Sequence, residues 1–155
     1  MSTPSPQRNS NPPSRALLIG ALLRVPAQAI HRRLVSGLNL AGYTDLTLPH
    51  IAVFQFPGPD GVRPTTLADR AGMSKQAMNQ LLRSLEAAGY ITRADSAGQG
   101  RARVIRLTKR GHAAYAKIID ILRGIEREWK AELGAKDFAL LKQILARVWE
   151  SPLVR

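Results

Sequence analysis

No cysteine occurs among these 155 residues. Disulfide staples, cysteine-ligated zinc and thiol redox sensing are thereby excluded. Acidic residues are scarce: 11 Asp and Glu stand against 23 Lys and Arg, for a formal net charge of +12 and a pI near 11.2. There is no apolar run near the ~18 residues that a membrane span needs, and no secretory leader, so a cytoplasmic location without a membrane partner is expected. Catalytic patterns are missing too. The three histidines (His31, His50 and His112) lie far apart, and neither HExxH, a glycine-rich phosphate loop nor a Ser-His-Asp arrangement can be read. No enzyme activity, metal site or cofactor is expected.

What is present is a basic excess with a location. Residues 66–110 carry nine basic and three acidic side chains, whereas residues 111–155 carry eight and six. The first 44 residues hold five Arg and no acid. Such a surplus attracts polyanions, and its concentration in the middle of the chain favours nucleic acid over an anionic surface.

The stretch Ser74–Gly89, SKQAMNQLLRSLEAAG, sits inside that basic region. Met78, Leu81, Leu82 and Leu85 recur at three-four spacing and form one apolar face of a helix. Lys75, Gln76, Asn79, Gln80 and Arg83 fall on the other side. Amides and cations there have the donor and acceptor groups that read base edges and phosphates in a major groove. A short helix precedes it, opened by Pro64 or Thr66, with Thr66 and Asp69 at capping-box spacing and Gly72 as its stop. Two short helices across a glycine turn make a helix-turn-helix. After Gly89, Tyr90–Arg93 reads as a strand, ADSAGQG as a loop, and RARVIRL as a second strand in which Arg103, Ile105 and Leu107 share a face. A hairpin in that position is a wing, with Arg101 and Arg103 beside its tip.

The flanks are helical. From Arg15 an apolar stripe runs through Leu18, Leu22, Val25, Ile30, Leu34 and Leu38 towards Gly42, with a kink or break expected at Pro26. Thr47 caps a second helix whose core candidates are Leu48, Ile51, Ala52, Phe54 and Phe56, ended by Pro57. PGPDGVRP follows as a turn-rich connection, and Val62–Arg63 suits a very short strand. Thr108 caps a long helix to about Leu133, Gly134 breaks it, and Lys136–Trp149 forms the last. Residues 1–14, rich in Pro, Ser and Asn, lack the apolar content to pack and are expected to be flexible. The terminal helices have more apolar surface than a small winged domain can bury, which predicts a dimer. The expected fold class is mainly α with a small β-wing: a winged helix-turn-helix core at 47–110, an N-terminal dimerisation helix at 15–46 and C-terminal dimerisation helices at 111–155.

From Ala16 to Val148 the chain resembles the MarR family of winged-helix transcriptional regulators, most closely along TLADRAGMSKQAMNQLLRSLEAAGYITR and RARVIRLTKRG. The resemblance implies a homodimer that binds a pseudo-palindromic operator as a regulator, with repression expected. It also implies a pocket between dimer helices and winged domain for small aromatic or anionic effectors. By position, Ser74, Lys75, Gln76, Asn79 and Gln80 match the DNA-facing part of the recognition helix, although many relatives have a basic residue where Gln80 stands. Arg101 matches the wing arginine, while Gln99 replaces the Asp that usually braces it. Gln76 and Asn79 suit paired hydrogen bonds to adenine, and Lys75 suits guanine or phosphate. Thr65, Thr66, Arg83 and Arg93 are expected phosphate contacts. No effector residue is singled out, since His31, Arg32, His50, Phe54 and Tyr115 all have ordinary core or surface alternatives. A non-specific nucleoid-like or RNA-binding protein, and a winged protein–protein module, remain open.

Overall fold

The computed structural model describes residues 17–55, 58–95, 103–152 and 154. The tail at 1–14, Phe56 and Pro57, most of the wing loop, and Gln99 and Arg101 lie outside the described residues. Among the described residues, six helices and a two-stranded antiparallel sheet follow in the order α1 (Ile19–Leu40), α2 (Leu48–Val53), α3 (Pro64–Ala71), α4 (Lys75–Ala87), β1 (Ile91–Asp95), β2 (Arg103–Leu107), α5 (Lys109–Leu133) and α6 (Ala135–Trp149).

Of the kink or break expected at Pro26, the break is absent. α1 runs through Pro26 without a break. Proline removes one helical N–H, here the one that would reach the Leu22 carbonyl, and seven helical residues precede it to hold the turn. The apolar stripe of α1 divides into two halves. Leu34 and Leu38 are fully buried, whereas Leu18, Ile19, Leu22, Leu23 and Val25 are exposed, Leu18 at 81%. The buried half packs on α5 so closely that a Cβ on Gly37 would stand 2.8 Å from Ile121 Cδ1. α6 has the same imbalance: Phe138 is buried, while Leu140, Ile144, Leu145, Val148 and Trp149 are exposed.

α2 is shorter than expected and ends at Val53, ahead of Pro57. Its cap is a variant of the capping box in which His50 stands where Glu or Gln is usual. The Thr47 N–H donates to His50 Nδ1 at 3.2 Å. α3 opens at Pro64 with Arg63 as N-cap and no side-chain cap. The Thr66–Asp69 capping box is therefore not used: a proline with its φ preset at the first helical position starts the helix two residues earlier and places Thr66 inside it. Gly72 then takes φ 60°, ψ 32°, and its N–H and that of Met73 return to Asp69 and Ala68 carbonyls.

Ser74 Oγ accepts from Ala77 N at 3.1 Å and starts α4. Met78, Leu82 and Leu85 of α4 join Leu34, Leu38, Ile51, Phe54, Leu67, Tyr90, Ile91, Ile105, Ala114 and Ile118 in one core. β1 pairs with β2 in the register Ile91↔Leu107, Arg93↔Ile105, Asp95↔Arg103, so these six positions share a face. The short strand expected at Val62–Arg63 is reduced to two backbone bonds one residue earlier. Gly61 N donates to Ile105 O at 2.7 Å and Ile105 N to Val62 O at 2.9 Å.

Candidate nucleic-acid interface

α4 buries one side, so the other is dictated by elimination. Lys75, Gln76, Gln80 and Arg83 are exposed along it, while Asn79 is half-buried at its edge. No acidic residue lies in its first turn. Exposed amides flanked by cations can donate and accept on base edges, and a cation two turns along can neutralise phosphate. Thr65 is exposed and Thr66 half-buried in the first turn of α3. Several backbone N–H groups there lack helical partners, and the positive end of the helix dipole suits an anion.

Arg93 is engaged within the molecule. It follows Ile91 by two on β1, on the inward face, and its side chain is only 20% exposed. Its Nη1 donates to Asn79 Oδ1 at 3.4 Å and its Nη2 to the Asn79 carbonyl at 3.5 Å. Nε stands 3.2 Å from Glu86 Oε2 but off the N–H direction, which makes that contact an ion pair without a hydrogen bond. The guanidinium is thus largely taken up by α4, with a fifth of the side chain left at the surface. Arg103, on the same face of the sheet, is exposed and lines one cleft with Arg83, Glu86 and Arg93. Three cations around one carboxylate leave that cleft positive.

Three side-chain arrangements that hold α4 in place join residues distant in the chain. His50 joins α2 to α4. A backbone N–H can only donate, so His50 Nδ1 accepts from Thr47 and Nε2 carries the proton, which it donates to Ser84 Oγ at 3.0 Å. Burial pushes the His50 pKa down, against a smaller upward pull from Asp45. The spacing Thr-x-x-His was the only local signal.

At the other end of α4, Thr108 Oγ donates to the Gly89 carbonyl at 2.6 Å and accepts from Gly111 N at 3.0 Å. Gly111 lies so close under β1 that a Cβ there would sit 2.0 Å from the Tyr90 oxygen. This packing accounts physically for L-T-x-x-G at Leu107–Gly111.

Beside it, the Tyr90 hydroxyl donates to Asp45 Oδ1 at 2.5 Å, and Arg110 reaches Asp45 Oδ2 at 2.8 Å and the Ala88 carbonyl at 2.9 Å. The Arg110 guanidinium also lies 4.3 Å from the Tyr90 ring centroid. The Tyr90 hydrogen bond, more than any other cause, holds the Asp45 carboxyl below its usual range. Burial, then the Asp45 contact, pushes the Tyr90 phenol up to about 12.

Away from this face, His31 lines a cavity of about 440 Å³ with Ile30, Ala52, Gln55, Leu67, Arg70, Leu122 and Trp149. Arg32 lines a separate, shallow surface depression beside it. Phe54 is fully buried in the core, and Tyr115 packs against Gly58. Among the described residues no group of three or more His, Asp or Glu could hold a metal ion, and no helix is long and apolar enough to cross a membrane.

The chain was compared with known proteins. The profile described as MarR family matches residues 44–102, from the loop before α2 into the wing. Over 130 residues the chain is 32% identical to the HTH-type transcriptional repressor Rv2887 of Mycobacterium tuberculosis, covering 84% of this chain and 87% of that repressor. The crystal structure of Rv2887 in complex with p-aminosalicylic acid superposes with a TM-score of 0.64 at 27% identity, over 86% of this chain and 100% of that one. Rv2887 in complex with DNA gives 0.62 at 25%, over 86% and 98%. The reduced form of MarR from Escherichia coli, at 20% identity and a TM-score of 0.68 over 87% and 98%, shares the fold. The chain belongs to the MarR family.

Proposed function

We propose that the protein is a transcriptional repressor that binds double-stranded DNA sequence-specifically as a homodimer on a pseudo-palindromic operator. The observation that carries this reading is the exposed Lys75–Gln76–Gln80–Arg83 side of α4, capped by Ser74 and flanked by the positive cleft with Arg103. Two copies place these helices in successive major grooves, about 34–36 Å apart. Residues 47–110 carry the DNA contacts, and the exposed apolar surfaces of α1 and α6 supply the dimer interface. Gln76 and Gln80 reach base edges; Ser74, Lys75, Thr65, Thr66, Arg83, Arg101 and Arg103 position the protein on phosphates.

A small aromatic acid is the proposed effector, and its proposed place is the cavity holding Arg70, His31, Gln55 and Trp149. An apolar cleft of that size with a cation at its edge suits a carboxylate on a ring. Complexes of Rv2887 with salicylic acid and p-aminosalicylic acid support this choice of ligand class.

Selection of genomic fragments at near-physiological salt tests the DNA reading. Recovery of one inverted repeat is expected; indiscriminate recovery would instead indicate a nucleoid-like binder, and none a protein–protein module. If roughly 6–10 phosphates are neutralised, affinity falls roughly 10³–10⁵-fold between 50 and 200 mM salt. A flat salt response contradicts it.

A further inference from the structure

The contact between Arg93 and Asn79 constrains what Asn79 can read. A carboxamide offers an acceptor oxygen and two N–H donors, and paired recognition of adenine needs one of each. Arg93 has donors only, so whichever Asn79 atom faces its Nη1 must be the oxygen. Orientation of the amide, ordinarily ambiguous, is set here by its partner's chemistry. The oxygen is turned to β1, leaving Nδ2 as the group available to solvent. Arg93 is held in place by two further contacts, to the Asn79 carbonyl and to Glu86 on the same helix, and it is four-fifths buried.

We infer that Arg93 is a positioning residue which makes Asn79 a donor-only reader, selecting a keto base over an amino base at one position of each half-site. Guanine O6 and N7 and thymine O4 accept from Nδ2; adenine offers N7 alone, beside an N6 donor that opposes Nδ2, and cytosine offers only its N4 donor. This deepens the proposed operator binding and rests on it. It also replaces the expectation that Asn79 reads adenine and that Arg93 contacts phosphate.

Selection of bound sequences from a randomised operator library tests it, using the full-length protein and five variants. Wild type is expected to favour guanine or thymine over cytosine at one symmetric position by roughly tenfold, and over adenine by less. Asn79→Ala erases that preference and leaves the other positions intact. Arg93→Met frees the amide to turn, so adenine rises at the same position alone, and adding Asn79→Ala to it gives the Asn79→Ala pattern. Asn79→Asp keeps Arg93 paired and offers only acceptors, so it shifts the position towards amino bases, independently of how well Arg93→Met folds. The inference is overturned if wild type favours adenine at the Asn79-dependent position. It is equally overturned if Arg93→Met lowers affinity for all sequences alike with the keto preference unchanged. Failure of wild type to select any repeat overturns the operator reading itself, and is told apart because Gln76→Ala is then silent as well.

Discussion

Two glycines on one helix should respond oppositely to the same substitution. At Gly111 a new Cβ would lie 2.0 Å from the Tyr90 carbonyl oxygen and 3.1 Å from Leu107 Cδ2. The nearer atom is backbone, so relief requires α5 to move off β1 by about 1 Å, an overpacking cost of about 1–3 kcal/mol. That movement stretches the two bonds that tie Thr108 to the end of α4: Thr108 N to Tyr90 O at 3.0 Å and Thr108 Oγ to Gly89 O. Weakening them costs about 1 kcal/mol apiece, and the helix propensity of alanine returns about 1. Gly111→Ala therefore loses about 3 kcal/mol, or roughly 6–12 °C in Tm for a domain of this size. At Gly124, by contrast, the only atom of the described residues within 4 Å is Arg127 Nη2 at 3.7 Å. Gly124→Ala should gain up to about 1 kcal/mol. Both are measured by thermal and urea unfolding at one fixed protein concentration, because association shifts Tm. A Gly111→Ala protein as stable as wild type would refute the close-approach account of L-T-x-x-G.

His50 supplies a pH dependence. Its folded pKa lies below the ordinary 6.5 because burial opposes the charge, so below pH 6.5 the unfolded chain binds more protons than the folded one. Its contribution is therefore present above pH 6.5 and is lost as pH falls through the folded value. Stability measured from pH 7.5 to 5 should decline less steeply in His50→Gln than in wild type; matching slopes would remove His50 from the account. Tyr90→Phe deletes the donor to Asp45 and should cost about 1 kcal/mol at pH 7, since that carboxylate is partly solvated. The deficit should vanish as pH falls through the lowered Asp45 pKa, where the wild-type contribution is lost, and chemical unfolding at pH 7 and pH 3 checks this. Pro26→Ala restores a helical N–H opposite the Leu22 carbonyl and should raise stability by about 1–3 kcal/mol in urea unfolding. A loss instead would show that the proline is required by the packing of α1.

Features fixed by neighbours in the chain were legible before any coordinates. Ser74 and Thr108 start α4 and α5 because a hydroxyl at that position accepts from an N–H three residues on, a purely local matter. Gly72 and Gly134 stop helices with positive φ for equally local reasons. Alternation in RARVIRL placed Arg103, Ile105 and Leu107 on one face, and the ladder register agrees. Local rules failed where two of them competed: Pro64 and Thr66 both suit a helix start, and the earlier residue took it. Contacts across the chain were out of reach. Asp45 and Arg110 are separated by 65 residues, and nothing near either one announces the other. Arg93 reads as a surface cation until β1 is seen to run back along α4, which places it inward beside Asn79 and Glu86.

These supports bear on how a ligand signal could reach DNA. α4 is held by α2 through His50 and Ser84, by β1 through Arg93, and by α5 through Thr108 and Arg110 at the Gly89 and Ala88 carbonyls. The cavity with Trp149 is lined by Leu67 and Arg70 from α3, by Ala52 and Gln55 from α2 and its C-terminal end, and by Leu122 from α5, but by no residue of α4. A molecule bound there acts on the recognition helix through its neighbours: through α3, which runs into α4 across Gly72, and through α2 and α5. α5 is in turn clamped to α1 by the Gly37–Ile121 approach and the Arg33–Glu128 pair. A displacement of α5 relative to α1 is thus resisted along its middle and is relayed, at its N-terminus, to the backbone where α4 ends. Coupling through packed contacts of this kind is typically about 1–3 kcal/mol, enough to change operator affinity by roughly 5–150-fold without any direct contact between effector and DNA. The Thr108–Gly111 junction, where a single methyl group cannot be accommodated, is therefore the point through which such a signal must pass on the α5 side.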